Sequence, residues 1–154
     1  MSAPTTRFIP KDPDFAARCR ASFGRQAAMR LIGARLERIE PGLTEVALAF
    51  RDDLTQQKGF VHGGIIGMIA DSACGYAAYS LMPATSSLVT VEYKINILAP
   101  ARGSLLARGE VMRPGRTLSV TRAEVYDQHG VHVASMQQTV MMLADTPDTP
   151  DPSG

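Results

Sequence analysis

The stretch Gln56-Gln57-Lys58-Gly59-Phe60-Val61-His62-Gly63-Gly64 runs straight into a long apolar segment whose single carboxylate, Asp71, follows nine residues after His62. Two features of this region cost stability. An unpaired charge buried in apolar surroundings costs roughly several kcal/mol, so a carboxylate at Asp71 is either paired or functional. Gly63-Gly64 at the start of the segment exposes backbone N–H groups with no side chain in the way. If the segment is a helix, its dipole favours negative charge at that end, which makes an oxyanion site. A carboxylate and oxyanion donors together describe attack of water, or of the carboxylate itself, on a carbonyl.

Spacing decides whether one chain can do this alone. Gly63 and Asp71 lie eight residues apart, roughly 12 Å along a helix. A reacting carbonyl needs its donors and its base within about 3–4 Å. Two antiparallel helices across a two-fold axis meet that demand. Each site would take its N–H donors from one subunit and its Asp71 from the other.

Other chemistries find less support. Cys74 lies in the same apolar segment with no positive group close in sequence, so it reads as packing rather than as a nucleophile. His129 and His132, with only Asp127 nearby, make a poor ligand set, and no metal is expected. The G-x-S-x-G elbow is absent, as are the G-x-G-x-x-G and P-loop patterns.

The elements that must position these groups follow from pattern and punctuation. Residues 1–12 read as a flexible N-terminus. Pro13 to Leu31 reads as one helix, with Asp12 as N-cap, Pro13 at the first position and Gly33 as the stop. Ala34–Ile39 and Thr44–Phe50 read as strands joined by the Pro41-Gly42 turn, with Val46, Leu48 and Phe50 on one face. Gly63 to Leu81 is too long for a strand and apolar on nearly every side, so it must be a helix surrounded by protein. Its many small residues (Gly67, Ala70, Ala73, Gly75, Ala77, Ala78) let other backbone come close.

The remainder is β. Strands are expected over Ser87–Leu98, Ser104–Arg113, Thr117–Tyr126 and Val131–Leu143. In the first, Val89, Val91, Tyr93, Ile95 and Ile97 alternate against Thr90, Glu92, Lys94 and Asn96. Residues 144–154 form an acidic, Pro-rich tail expected to be disordered. The order predicts an α+β domain over 13–143: a curved antiparallel sheet wrapped around a long central helix, with an extra N-terminal helix. One sheet cannot cover its own faces and edges, so a homo-oligomer is expected, a dimer at least.

At 154 residues the chain fits one domain. Sixteen basic and fifteen acidic residues give a net charge of +1, which supplies no field for bulk nucleic-acid binding. The first twelve residues lack the apolar core of a signal peptide. The longest apolar run is interrupted by Asp71 and four glycines, so no membrane span is expected. Two cysteines far from any C-x-x-C spacing read as free thiols and suit a reducing, cytoplasmic setting.

Gly59-x-x-His62-Gly63-Gly64 with Asp71 nine residues after the histidine resembles the hotdog-fold acyl-CoA thioesterases of the phenylacetate-pathway (PaaI-like) type. Thr90-Val91-Glu92-Tyr93-Lys94-Ile95-Asn96-Ile97-Leu98-Ala99-Pro100 resembles that family's strand after the helix. Val111-Met112-Arg113-Pro114-Gly115-Arg116-Thr117 resembles its CoA-side turn. The resemblance covers roughly residues 35–143. It implies Gly63 as the oxyanion glycine, Asp71 as general base or nucleophile, and Thr90 as a hydroxyl that helps place water. Gln56 falls where many members carry asparagine; its amide offers the same hydrogen bonds from a longer arm. Gly64, Lys58, Arg113, Gly115, Arg116 and Thr117 are implied on the CoA side. No cofactor is implied beyond the CoA of the substrate, and a tetramer built from dimers is the family's assembly.

Each of these residues has a plainer use. His62 resembles a base but in such proteins more often holds the loop before the helix. Gly63-Gly64 also permits close packing, Lys58 and the two arginines suit exposed turns, and Thr90 is a good β-former. The expected reaction is hydrolysis of a neutral fatty or aromatic acyl-CoA, with the acyl group near Met68, Ile69, Tyr79 and Met82. The alternatives are an enoyl-CoA hydratase on the same fold, which would need His62, and a non-catalytic acyl-CoA binder.

Overall fold

The structure, a computed structural model, describes residues 7–150 of the chain. Two short helices, α1 (Phe15–Arg25) and α2 (Ala27–Ile32), precede the hairpin β1 (Ala34–Glu40) and β2 (Leu43–Leu48). The long helix α3 (Gly63–Tyr79) follows, then β3 (Ser87–Ile97), β4 (Leu105–Arg113), β5 (Leu118–Asp127) and β6 (His132–Leu143). The six strands form one antiparallel sheet in the order β1-β2-β4-β5-β6-β3, and α3 packs across it. This is the hotdog arrangement expected from the sequence.

Small residues let the helix sit directly on the sheet. A Cβ built at Gly109 on β4 would lie 2.3 Å from the Ala73 carbonyl of α3. Thr44 of β2 donates its hydroxyl to the same Ala73 oxygen at 2.6 Å. From Ile66 onward every residue of α3 is buried except Met68 and Asp71. Val46, Leu48, Ala107, Val125 and Met136 fill the facing side; fully burying an aliphatic side chain of Val or Leu size contributes roughly 1.5–3 kcal/mol. No described helix is long and apolar enough to cross a membrane.

The N-terminal helix departs from expectation. One helix over 13–31 is broken at Gln26, whose ψ of 102° is extended. The turn there brings Met29 and Ile32 into the same core as Cys19 and Phe23. Asp12 is not the N-cap. The helix begins at Phe15, and the buried Asp12 carboxylate instead receives the Asp14 N–H and the Arg18 Nε at 2.7 Å. Arg18 also donates to the Tyr79 and Met82 carbonyls and stacks over the Tyr79 ring at 4.1 Å. A cation thus closes the C-terminus of α3, where the helix dipole is negative. Gly33 ends α2 in the left-handed conformation, as expected.

The two ends of the described chain are seated rather than loose. Phe8 packs against the core, and a Cβ on Gly42 would meet its ring at 2.6 Å. Arg25 donates to both the backbone and the carboxylate of Asp148, at 2.8 and 2.9 Å, which holds the stretch 144–150 against α1. The remaining expected loose residues, 1–6 and 151–154, lie outside the described ones.

The alternation expected of β3 is interrupted. Thr90 pairs with Val140 and Glu92 with Thr139, leaving Val91 as an extra residue. Paired residues share a face. Thr90 therefore points the same way as buried Val140, and Tyr93 the same way as buried Gln138. A bulge of this kind re-aims side chains beside functional sites. Here it brings Thr90 onto the helix side, where a strict two-residue period would have put Val91.

Candidate active site

The loop before α3 is pinned at several points. Val61 N–H donates to the Ala101 carbonyl at 3.0 Å, and His62 N–H to Leu54 at 2.9 Å. Gly59 has φ +79°, a left-handed turn that a side chain resists, and its N–H returns to the Gln56 carbonyl. The Gln56 side-chain oxygen accepts the Lys58 N–H. Its amide NH₂ is thereby left as the outward-facing donor.

His62 is the N-cap of α3, and its Nδ1 accepts the Gly64 N–H at 2.9 Å. The expectation that both Gly63 and Gly64 offer free N–H groups is corrected by this bond: Gly64 is occupied. Gly63 N–H meets no acceptor among the described residues, and a Cβ there would touch nothing within 4 Å. Gln56 and Gly63 line one cavity together with Phe60, Ile66 and the Ile97–Ala101 segment.

Asp71 lies in a different cavity, of about 430 Å³. Its Oδ1 accepts the Thr90 hydroxyl at 2.8 Å. Ser22, Gln26, Ser72, Tyr76, Tyr79 and the tail residues Thr146–Pro150 share the walls. The Ser22 and Tyr76 hydroxyls bond each other at 2.9 Å, and burial pushes the Tyr76 phenol up to about 12. Of the four residues expected around the acyl group, only Tyr79 lines this cavity; Ile69 and Met82 are closed in the core, and Met68 is half-buried on the helix.

One chain therefore brings Gln56 to Gly63 and Thr90 to Asp71 but keeps the two pairs in separate cavities. Arg113, Gly115, Arg116 and Thr117 are all exposed around the β4–β5 turn, and Lys58 is exposed in the loop before α3. None of them lines either cavity within one chain. Neither arginine meets a carboxylate among the described residues. A Cβ on Gly115 would fall 1.9 Å from the Leu118 carbonyl, so this tight turn requires glycine. No group of three metal-binding side chains occurs among the described residues. Cys19 and Cys74 are both fully buried, and burial pushes each thiol up to about 12.

Gln138 escaped the sequence reading. It is fully buried on β6 and its amide nitrogen lies 3.3 Å from Thr90 Oγ1 and 3.4 Å from the Asp71 carbonyl. The available signal was an amide in register with Met136 and Val140 on the apolar face of an otherwise ordinary strand.

The fold defines the class: a hotdog enzyme with a carboxylate on its central helix and a free N–H at that helix's start. Residues 58–134 match the Thioesterase superfamily, half of the chain, and the protein belongs to that superfamily of hydrolases acting on thioesters. A crystal structure of a thioesterase family protein from Silicibacter pomeroyi superposes with a TM-score of 0.82 at 43% identity, covering 84% of this chain and 98% of that one. The Escherichia coli PaaI protein from the phenylacetic acid degradation operon superposes at 0.80 with 21% identity over 86% of this chain and 96% of that one, a likeness of fold. The medium/long-chain acyl-CoA thioesterase YigI of Escherichia coli is 24% identical over 129 residues, 73% of this chain and 83% of that protein.

Proposed function

We propose that the protein hydrolyses acyl-CoA thioesters, with a neutral fatty or aromatic acyl group, in a homodimer that completes each site from two chains. The observation that carries this reading is Asp71: the one carboxylate of an apolar helix, bonded by Thr90 through one oxygen and facing a cavity lined by both polar and apolar side chains. Asp71 acts as general base. It takes a proton from water as the water oxygen bonds to the thioester carbon. The carbonyl oxygen, now negative, is held by Gly63 N–H at the positive end of the partner's α3. The Gln56 amide, beside Gly63, orients the water. Collapse of the intermediate breaks the carbon–sulfur bond, and the departing thiolate takes the proton held by Asp71 to leave as CoA, which restores the carboxylate.

The two-chain site is supported by β3. This edge strand exposes Val89 (42%), Val91 (53%), Tyr93 (45%) and Ile97 (48%) over its two faces, beside a row of backbone groups with no strand partner among the described residues. Exposed edges of that kind invite a second copy. The positive Arg113 and Arg116, which meet no carboxylate among the described residues, suit the CoA phosphates, with Gly115 and Thr117 on the same turn and Lys58, exposed in the loop before α3, as a further contact. His62 has a structural part, since Nδ1 already holds the Gly64 N–H; a hydratase, needing that ring for proton transfer, is disfavoured.

Thiol release from short, long and aromatic acyl-CoAs, measured for wild type beside Asp71→Ala, tests the reading. Release by wild type and a drop of about 10²–10⁴-fold in the variant is expected. Near-normal turnover by Asp71→Ala, or affinity for acyl-CoA without any release, would overturn it.

A further inference from the structure

We propose that Gln138 is a positioning residue that sets the direction of the hydrogen bond from Thr90 to Asp71. The proposal rests on Asp71 being the base. An ionised Asp71 can only accept, but a threonine hydroxyl has a single proton, which another acceptor beside it, such as an amide oxygen, would draw away. Asp71 needs that proton aimed at its Oδ1, which leaves the other carboxylate oxygen for water.

Gln138 decides the matter through a fixed amide orientation. The Asp71 main-chain carbonyl can only accept, so the end of the Gln138 amide that faces it must be NH₂. The same nitrogen lies 3.3 Å from Thr90 Oγ1 and donates there. With an amide proton on its lone pair, Thr90 has its own proton free for Asp71 at 2.8 Å. The bulge at Val91 completes the geometry, since it turns Thr90 toward the helix and leaves Gln138 opposite Tyr93 on that face.

A second observation points the same way. The Gln138 side-chain oxygen is buried with no partner among the described residues. An unsatisfied buried acceptor costs stability. The Asp71 carbonyl belongs to the helix ladder and does not depend on Gln138. A purely structural residue at this position would do better as methionine or leucine. The amide is therefore a net burden to the core unless its NH₂ serves Thr90.

The test uses full-length Gln138→Met and Gln138→Leu beside wild type, Thr90→Val and Asp71→Ala. Thermal melts are recorded, with kcat and KM for thiol release from the best acyl-CoA. Both Gln138 variants are expected to melt at or above the wild-type temperature, because the orphan oxygen leaves with the amide. Their kcat is expected to fall about 3–10-fold. KM is expected to stay within about twofold, since the amide touches Thr90 and not the substrate. Thr90→Val should lower kcat by a similar factor, and Thr90→Val combined with Gln138→Met little more. A folded Gln138 variant with the wild-type kcat would overturn the proposal while Asp71→Ala, inactive, upheld the base. Failure of both Gln138 variants to fold would assign the residue to the core and also overturn it. Activity in Asp71→Ala would remove the base and this proposal with it.

Discussion

The two ends of α3 solve opposite problems. At its start, Gly63 stands exposed, without a side chain, on a loop pinned by backbone hydrogen bonds to the Leu54 and Ala101 carbonyls. Two turns further on, Asp71 is half-buried beside β3, β6 and α1 and held by side chains: Thr90 directly, Gln138 behind it. The N-terminal end offers polarity that the helix supplies for nothing, and needs only to be left open. The mid-helix carboxylate stands among polar side chains supplied by other elements. An open backbone N–H needs only glycine at a helix start and so is readable as a short motif, whereas the surroundings of Asp71 are scattered over the chain.

That contrast sets the order of the effects expected from mutation. Asp71→Ala, with the drop given above, is the largest. Next comes mixing: unfolded and refolded together, Asp71→Ala and Gln56→Ala chains should regain roughly a quarter of wild-type turnover, because half of random dimers are mixed and each holds one intact site. Activity no higher than that of the two separate variants would place both halves in one chain. Gln56→Ala alone should lower kcat about tenfold, the worth of one oriented hydrogen bond near 1.4 kcal/mol; steady-state kinetics would read this. The smallest effect is His62→Ala, which should cost about 1 kcal/mol in denaturant unfolding through loss of the helix cap while turnover stays within a few-fold of wild type. Abolished turnover in a folded His62→Ala would move the chemistry back to the imidazole.

Much of this was legible in the residues. The central helix followed from an all-round apolar segment, the strands from alternation, the hairpin from Pro41-Gly42, and the open N–H of Gly63 from glycines at a helix start. Four features were not, for physical reasons. A helix break at Gln26 has no proline or glycine at the break itself; it arises because Met29 and Ile32 gain a place in the core. The bulge at Val91 is set by pairing with β6, which no local pattern records. The loss of the Gly64 N–H depends on the His62 rotamer. Finally, Arg25 and Asp148 are 123 residues apart, and only the folded chain brings that pair together. A composition rich in proline and acid described the tail's residues correctly and missed the partner that holds it.

The buried sulfur atoms have a consequence for a protein whose every turnover sets free a thiol. Disulfide exchange requires a thiolate that can reach its target. Cys19 and Cys74 are closed off on all sides and hold their protons up to about pH 12. The folded protein should therefore form no mixed disulfides with oxidised CoA, and a disulfide dye added to follow the reaction should count product alone.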